Sequence, residues 1–161
     1  MSGPGFSLRP AALADTGALL SLIRALAEYE RLLHEVRATE ADLRAALFGK
    51  PARAGALLAE AGGKAVGFAL WYYTYSTFTG RPGLYLEDIY VEPAHRGRGI
   101  GRAIFRHLAH RAEADGCTRL EWSVLDWNAP AQRFYAGLGA EPMSEWTVHR
   151  LEGPALAALA G

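Results

Sequence analysis

One stretch constrains this chain more than any other: Leu84-Tyr85-Leu86-Glu87-Asp88-Ile89-Tyr90-Val91-Glu92-Pro93-Ala94-His95-Arg96-Gly97-Arg98-Gly99-Ile100-Gly101-Arg102. Its first half is apolar, β-branched and aromatic over the length of a buried strand. Pro93 ends that strand, because it has no N–H for the ladder and fixes its own φ. Gly97, Gly99 and Gly101 then alternate with other residues, and an apolar pattern of helical period begins at about Gly99. A strand, a glycine-rich loop and a helix N-terminus together make an anion cradle. Loop N–H groups point outward, glycine lets a phosphate approach, and the helix dipole favours negative charge. Arg96, Arg98 and Arg102 add cations. The stretch reads as a diphosphate site.

The type of phosphate ligand follows from spacing. A P-loop needs Gly-Lys-Ser/Thr after its second glycine, and none is present. The dinucleotide fingerprint is G-x-G-x-x-G, whereas Gly97, Gly99 and Gly101 give G-x-G-x-G. Glu121 lies about twenty residues on, where that fingerprint wants a ribose-binding acid, but it opens a strand pattern instead of closing one. Arg96-Gly97-Arg98-Gly99-Ile100-Gly101 resembles the R/Q-x-x-G-x-G/A signature of the Gcn5-related N-acetyltransferase superfamily. The resemblance implies that the loop holds the pyrophosphate of acetyl-CoA.

The chain has 161 residues, which predicts a single domain over 1–161 with residues 1–5 as a flexible leader. Lys plus Arg and Asp plus Glu are 17 each, so no global field favours nucleic acid or an anionic membrane. No long apolar run or signal-peptide pattern occurs, and Cys117 is the lone cysteine, so a reducing cytoplasm fits.

In chain order, Phe6 to Arg9 alternates as a first strand, and Asp15 or Thr16 caps a helix striped with Leu19, Leu22, Ile23, Leu26 and Leu33. A second helix opens on a capping-box-like Thr39-Glu40-Ala41-Asp42 and stops at Gly49. Strands over 56–61 and 65–75 are joined by Gly62-Gly63, and a loop over 77–83 leads into the central strand. After the glycine loop come a helix with Ile100, Ile104, Leu108 and Ala112 on one face, a strand over 119–125, and a short helix over 131–138 capped by Asn128 or Asp126. A last strand over 145–151 and a terminal helix over 154–160 complete the order. This is an α/β chain: a mixed, mostly antiparallel twisted sheet of about six to seven strands with helices on both faces.

That order resembles the acetyltransferase superfamily over nearly the whole chain, and within it the diamine (spermidine/spermine-type and thialysine) N-acetyltransferases. The carrying residues are 23–30, Gly67-Phe68-Ala69 with 72–75, 84–88, and 126–130 followed by Phe134-Tyr135. The resemblance implies an N-acetyltransferase using acetyl-CoA as co-substrate and no metal, acting on the primary amine of a diamine, polyamine or lysine-like molecule. It also implies a homodimer paired through C-terminal strands. A peptide or protein amine transferase and a non-catalytic acyl-CoA-binding module are the alternatives.

Glu87 and Asp88 are adjacent carboxylates in the best strand of the sequence, where alternation sends them to opposite faces. Burying charge is costly unless it is paired, so such a break in pattern marks a functional site. The resemblance makes Glu87 the substrate-facing base. An alkylammonium has a pKa near 10 and only its neutral form attacks, so a base is chemically required. It likewise makes Tyr135 the acid that protonates the departing thiolate and a backbone N–H at Ile89 the thioester's polariser. Acetyl-CoA then contacts Ile89, Tyr90 and Val91, the run from Arg96 through Gly97, Arg98, Gly99, Ile100 and Gly101 to Arg102, and Asn128, Ala129, Pro130, Ala131 and Tyr135. For the acceptor the likeness nominates Tyr29, Glu30, Glu87, Glu121, Trp122 and Ser123; acids and aromatics suit a cationic amine. The run 71–75 lines an acceptor channel, packs as core or forms a dimer contact. His107 and His110 share a helix face but lack a third ligand, so no metal is expected.

Overall fold

The computed structural model describes residues 2–3 and 5–161. The chain gathers into two compact units, Met1–Ser123 and Val124–Gly161. The first contains a six-stranded sheet in the order β1-β2-β3-β4-β5-β6. These are β1 (Ser2–Gly3), β2 (Phe6–Pro10), β3 (Gly55–Ala61), β4 (Lys64–Ser76), β5 (Arg81–Val91) and β6 (Leu120–Glu121). Neighbours from β1 to β5 run antiparallel and β6 joins β5 in parallel, so the sheet is mixed and mostly antiparallel.

Local chemistry explains the main elements. Gly62 and Gly63 both take left-handed φ values, 57° and 76°, which a two-residue hairpin turn between β3 and β4 requires. Helix α2 (Glu40–Phe48) opens on a reciprocal capping box: the Asp42 amide donates to Thr39 Oγ1 at 3.2 Å, and the Thr39 amide donates to Asp42 Oδ2 at 2.8 Å. Helix α1 (Thr16–Tyr29) and α2 bury Leu19, Leu22, Leu43 and Leu47 against Ala56, Leu58, Phe68 and Tyr90 on one face of the sheet. Strand alternation sends Leu57, Ala59, Ala69 and Trp71 to the other face. There lies α3 (Ile100–Ala114), whose Ile104 and Leu108 are fully buried and whose Arg111 sits 5.4 Å over the Trp71 ring. Helices therefore cover both faces.

Five expectations need correction. The leader is not wholly free, because Ser2 and Gly3 pair with Ser7 and Phe6; Met1 and Pro4 lie outside the described residues. Leu33 is not on α1: Arg31 takes φ 63°, ending the helix and placing Leu33 in a separate 3-10 turn. The loop over 77–83 is shorter than expected, since β5 already starts at Arg81. The strand expected over 119–125 forms a ladder only at Leu120–Glu121. The strand expected over 145–151 does not form: the chain turns where the Trp146 amide donates to the Met143 carbonyl, and no ladder partner follows among the described residues.

In the second unit, α4 (Ala129–Ala136) is capped by Asn128, whose Oδ1 accepts from the Ala131 amide at 3.3 Å, with Pro130 in the first turn. Helix α5 (Gly153–Ala160) buries no residue. Among the described residues no helix is long and apolar enough to cross a membrane.

Candidate functional site

The glycine turn between β5 and α3 has the properties of an anion cradle. Gly97 and Gly99 take φ 73° and 83°, a region that side chains rarely adopt, and a Cβ at either would meet open space. Among the described residues nothing lies within 4 Å of either added Cβ, so the backbone there is open to a ligand. Gly99 is the N-cap of α3 and supplies no side-chain bond, so the first amides of the helix lack that cap. Arg98 and Arg102 are exposed beside them. Open backbone, uncapped amides and cations fit a diphosphate.

Arg96 differs from the other two arginines. Its Nε donates to the Val91 carbonyl at 2.8 Å. Its guanidinium lies 4.9 Å from the centroid of the Tyr29 ring and 5.6 Å from that of Tyr90. The first cation of the motif is thus built into the wall formed by the end of α1 and β5.

One turn of chain away, β5 departs from regular pairing. Leu70 of β4 pairs with Asp88 and Trp71 pairs with Leu86, so Glu87 is an extra residue with no partner across the ladder. This is a β-bulge, and it breaks the alternation on which the opposite-face reading of Glu87 and Asp88 rested. Asp88 shares the face of Leu70 and Tyr90, while Glu87 lies close enough to Tyr72 on that face to perturb its phenol. Glu87 is exposed and Asp88 half-buried.

The electrostatics record the crowding. The Asp88 carboxyl is pushed up to about 6, first by burial and then by the negative charge of Glu87 and Glu30. Burial also raises Glu30, the residue that follows the last turn of α1. Burial, then Glu87 and Tyr85, raise the Tyr72 phenol above its usual value. None of the three carboxylates forms an ion pair among the described residues. An acid cluster without a countercharge is a seat for a cation.

Aromatic rings line the same face. Tyr72 and Tyr85, opposite each other across β4 and β5, have ring centroids 5.2 Å apart. The Tyr85 hydroxyl and Ser123 Oγ are 2.7 Å apart. The structure therefore brings Tyr29, Glu30 and Glu87 onto one wall and links Ser123 to it through Tyr85 and Tyr72. Trp122 instead packs at 4.7 Å on Phe105 of α3, on the other face, and Glu121 is held by Arg119 Nε at 2.7 Å. Ile89 and Val91 are half-buried in β5 and Tyr90 is buried. Tyr72 falls in the run 71–75 for which three roles stood open, and Asp88 beside Glu87 in the pattern break, whereas Tyr85 had no nominated role; the strand register aligns the two tyrosines and creates the bulge.

The remaining candidates stand in the second unit. Asn128 is buried, Ala129 and Pro130 are exposed, and Ala131 is half-buried at the start of α4. Tyr135 is half-buried near the end of that helix, its ring 5.7 Å from that of Phe134. Among the described residues no three His, Cys, Asp or Glu side chains gather as a metal-ligand group.

Known proteins share this sequence and architecture. The chain is 44% identical over 165 residues to a Thialysine N-epsilon-acetyltransferase of Bos taurus, covering 96% of each protein. It is 36% identical over 146 residues to Spermidine/spermine N(1)-acetyltransferase-like protein 1 of Homo sapiens, covering 86% of this chain and 21% of that one. An integron cassette protein from the mobile metagenome of V. cholerae superposes with a TM-score of 0.81 at 27% identity, over 98% of this chain and 99% of that one. Residues 19–140 match the Acetyltransferase (GNAT) family, and with the sheet, the glycine turn and these relatives agreeing, the chain belongs to that acetyltransferase family.

Proposed function

We propose that this acetyltransferase moves the acetyl group of acetyl-CoA to the primary amine of a small cationic acceptor, such as the side chain of thialysine or lysine or one end of a diamine or polyamine. The observation that carries the reading is the cluster of Glu30, Glu87 and Asp88, which has no ion pair among the described residues and in which Glu87 lies beside the Tyr72 phenol. Identity to thialysine N-epsilon-acetyltransferases along nearly the whole chain supports it. A set of acids beside aromatic rings suits an ammonium ion through Coulomb and cation–π attraction.

On this reading the diphosphate of acetyl-CoA lies over Gly97 to Arg102, its pantetheine along Ile89, Tyr90 and Val91, with Asn128, Ala129, Pro130 and Ala131 as further contacts. The coenzyme supplies an activated thioester carbonyl. Glu87 takes a proton from the ammonium, directly or through a water, and the freed nitrogen lone pair forms the new C–N bond. The Ile89 amide stabilises the charge that builds on the carbonyl oxygen. The C–S bond breaks as the Tyr135 phenol gives the thiolate its proton, and the second proton that the nitrogen must lose to become an amide returns to the Tyr135 phenolate, directly or through a water. With no suitably placed cysteine, attack is direct in a ternary complex, without an acyl-enzyme.

We also infer self-association, with the C-terminal segment as the contact. Trp146 and Val148 are 76% and 85% exposed, and Leu156 and Leu159 of α5 face solvent, an apolar surface of the kind that marks protein interfaces. Light scattering showing a monomer at micromolar concentration removes this part. The lone Cys117 suits a reducing cytoplasm.

The deciding experiment measures CoA thiol release with thialysine, lysine, spermidine, 1,3-diaminopropane and a lysine-containing peptide, using wild type, Glu87→Gln and Tyr135→Phe. The expected result is turnover of at least one small amine, lost in both variants. Preference for the peptide overturns the acceptor assignment. Coenzyme binding without release for any amine overturns the transferase assignment.

A further inference from the structure

The guanidinium of Arg96 bridges the glycine turn, the end of β5 and the end of α1. It is the first cation of the glycine turn, yet its guanidinium carbon lies 4.9 Å from the centroid of the Tyr29 ring, next to Glu30 at the end of α1. Its Nε is spent on the carbonyl of Val91, the last residue of β5, and Tyr90 of the same strand lies 5.6 Å away. Three anchors from two elements fix a side chain that otherwise has wide rotamer freedom. A guanidinium carries five N–H donors in a plane, so the edges left over after the Val91 bond can receive phosphate oxygens while the face stays on the ring.

We propose that Arg96 is a positioning residue that couples the two substrates: its edge meets the coenzyme diphosphate while its face holds Tyr29, and with it the end of α1, against the acceptor wall. This rests on the reading that Gly97 to Arg102 takes acetyl-CoA and that Tyr29 faces the amine. A bound diphosphate immobilises the guanidinium and so steadies the ring beneath it. Coupling between two binding equilibria is reciprocal, so a change at Tyr29 is felt by the coenzyme. Lysine at 96 keeps the charge but has no planar face and no Nε edge, and so separates charge from coupling.

The test is a double-mutant cycle on the full chain with Arg96→Lys, Tyr29→Leu and their combination, with Tyr29→Phe as the conservative variant. Calorimetry gives the Kd of CoA, and steady-state kinetics gives KM for acetyl-CoA and for thialysine. Tyr29→Leu is expected to weaken CoA about two- to fivefold, although Tyr29 is assigned to the acceptor, while Tyr29→Phe binds like wild type. Arg96→Lys is expected to raise KM for thialysine by a similar factor with kcat little changed. In the Tyr29→Leu background the same substitution then adds nothing to that KM. The proposal is overturned if Tyr29→Leu leaves the Kd of CoA unchanged, if Arg96→Lys moves only KM for acetyl-CoA, or if the two substitutions act additively. A wild type that binds no CoA is a different failure, because it removes the donor assignment on which the coupling depends.

Discussion

The glycine turn and the acid cluster both grow from β5, yet they are assembled in opposite ways. The turn is one contiguous run, Arg96 to Arg102, whose properties are those of its own backbone: positive φ at Gly97 and Gly99, open space above them, and an uncapped helix start. The acid cluster draws Glu30 from the end of α1, Tyr72 from β4, and Tyr85, Glu87 and Asp88 from β5, and it exists only because the ladder skips a residue. The first is set by local conformation and tolerates little change in residue type. The second is set by register and depends on charge balance among residues far apart in sequence.

The largest expected effect falls on the cluster. Glu87→Gln keeps the size of the side chain but cannot accept the amine proton, so kcat/KM for the best amine should fall about 10²- to 10⁴-fold. The loss should narrow as pH rises toward 10, where the amine arrives already neutral. A pH–rate profile of the variant checks this, and a deficit constant with pH would reduce Glu87 to a binding group.

The turn should respond next, and in a different parameter. Gly99→Val forces a β-branched residue into a left-handed conformation, which costs about 1–2 kcal/mol before any contact with ligand is counted. KM for acetyl-CoA should rise about tenfold while KM for the amine and the pH profile stay near wild type. If KM for the amine rises equally, the two regions are not separate in the way their construction implies.

The same contrast explains what a reader of the sequence can and cannot see. The strand, the glycine turn, the Thr39 capping box and the Gly62-Gly63 hairpin are each written in a few adjacent residues, and each forms as expected. Sheet features that need a distant partner are not written that way. Residues 145–151 alternate like a strand, but no neighbouring strand meets them among the described residues. The bulge at Glu87 is a mismatch between two strands, so alternation along β5 alone put Glu87 and Asp88 on opposite faces. Leu33 continues the helical stripe of α1, but a left-handed residue at Arg31, rare without glycine, ends the helix first. Family likeness nominates Tyr29, Glu30 and Glu87 from separate segments; that Glu87 and Asp88 come to lie near Tyr72 depends on the bulge, which no single segment encodes.

The smallest expected effect tests the charge balance itself. Burial and the charges of Glu87 and Glu30 raise the folded-state value for Asp88 to about 6, above the unfolded value near 4. A group raised in this way binds its proton more tightly in the folded chain, so its unfavourable contribution is absent below about pH 4. It grows as pH rises from 4 to 6 and is complete above that. Asp88→Asn removes the charge and keeps the shape, and for a half-buried side chain the gain should be about 1 kcal/mol at pH 7.5. Denaturant unfolding at pH 7.5 and at pH 4 should therefore show the variant more stable than wild type at the higher pH and level with it at the lower. Adding a cationic amine to wild type at pH 7.5 should recover part of the same stability, because a bound ammonium supplies the countercharge that the acid cluster lacks. In Gly99→Val that amine-dependent gain should persist, since the substitution leaves Arg96, the residue of the turn that meets Tyr29, in place. Loss of the gain there would show that the acid wall depends on the turn even without coenzyme.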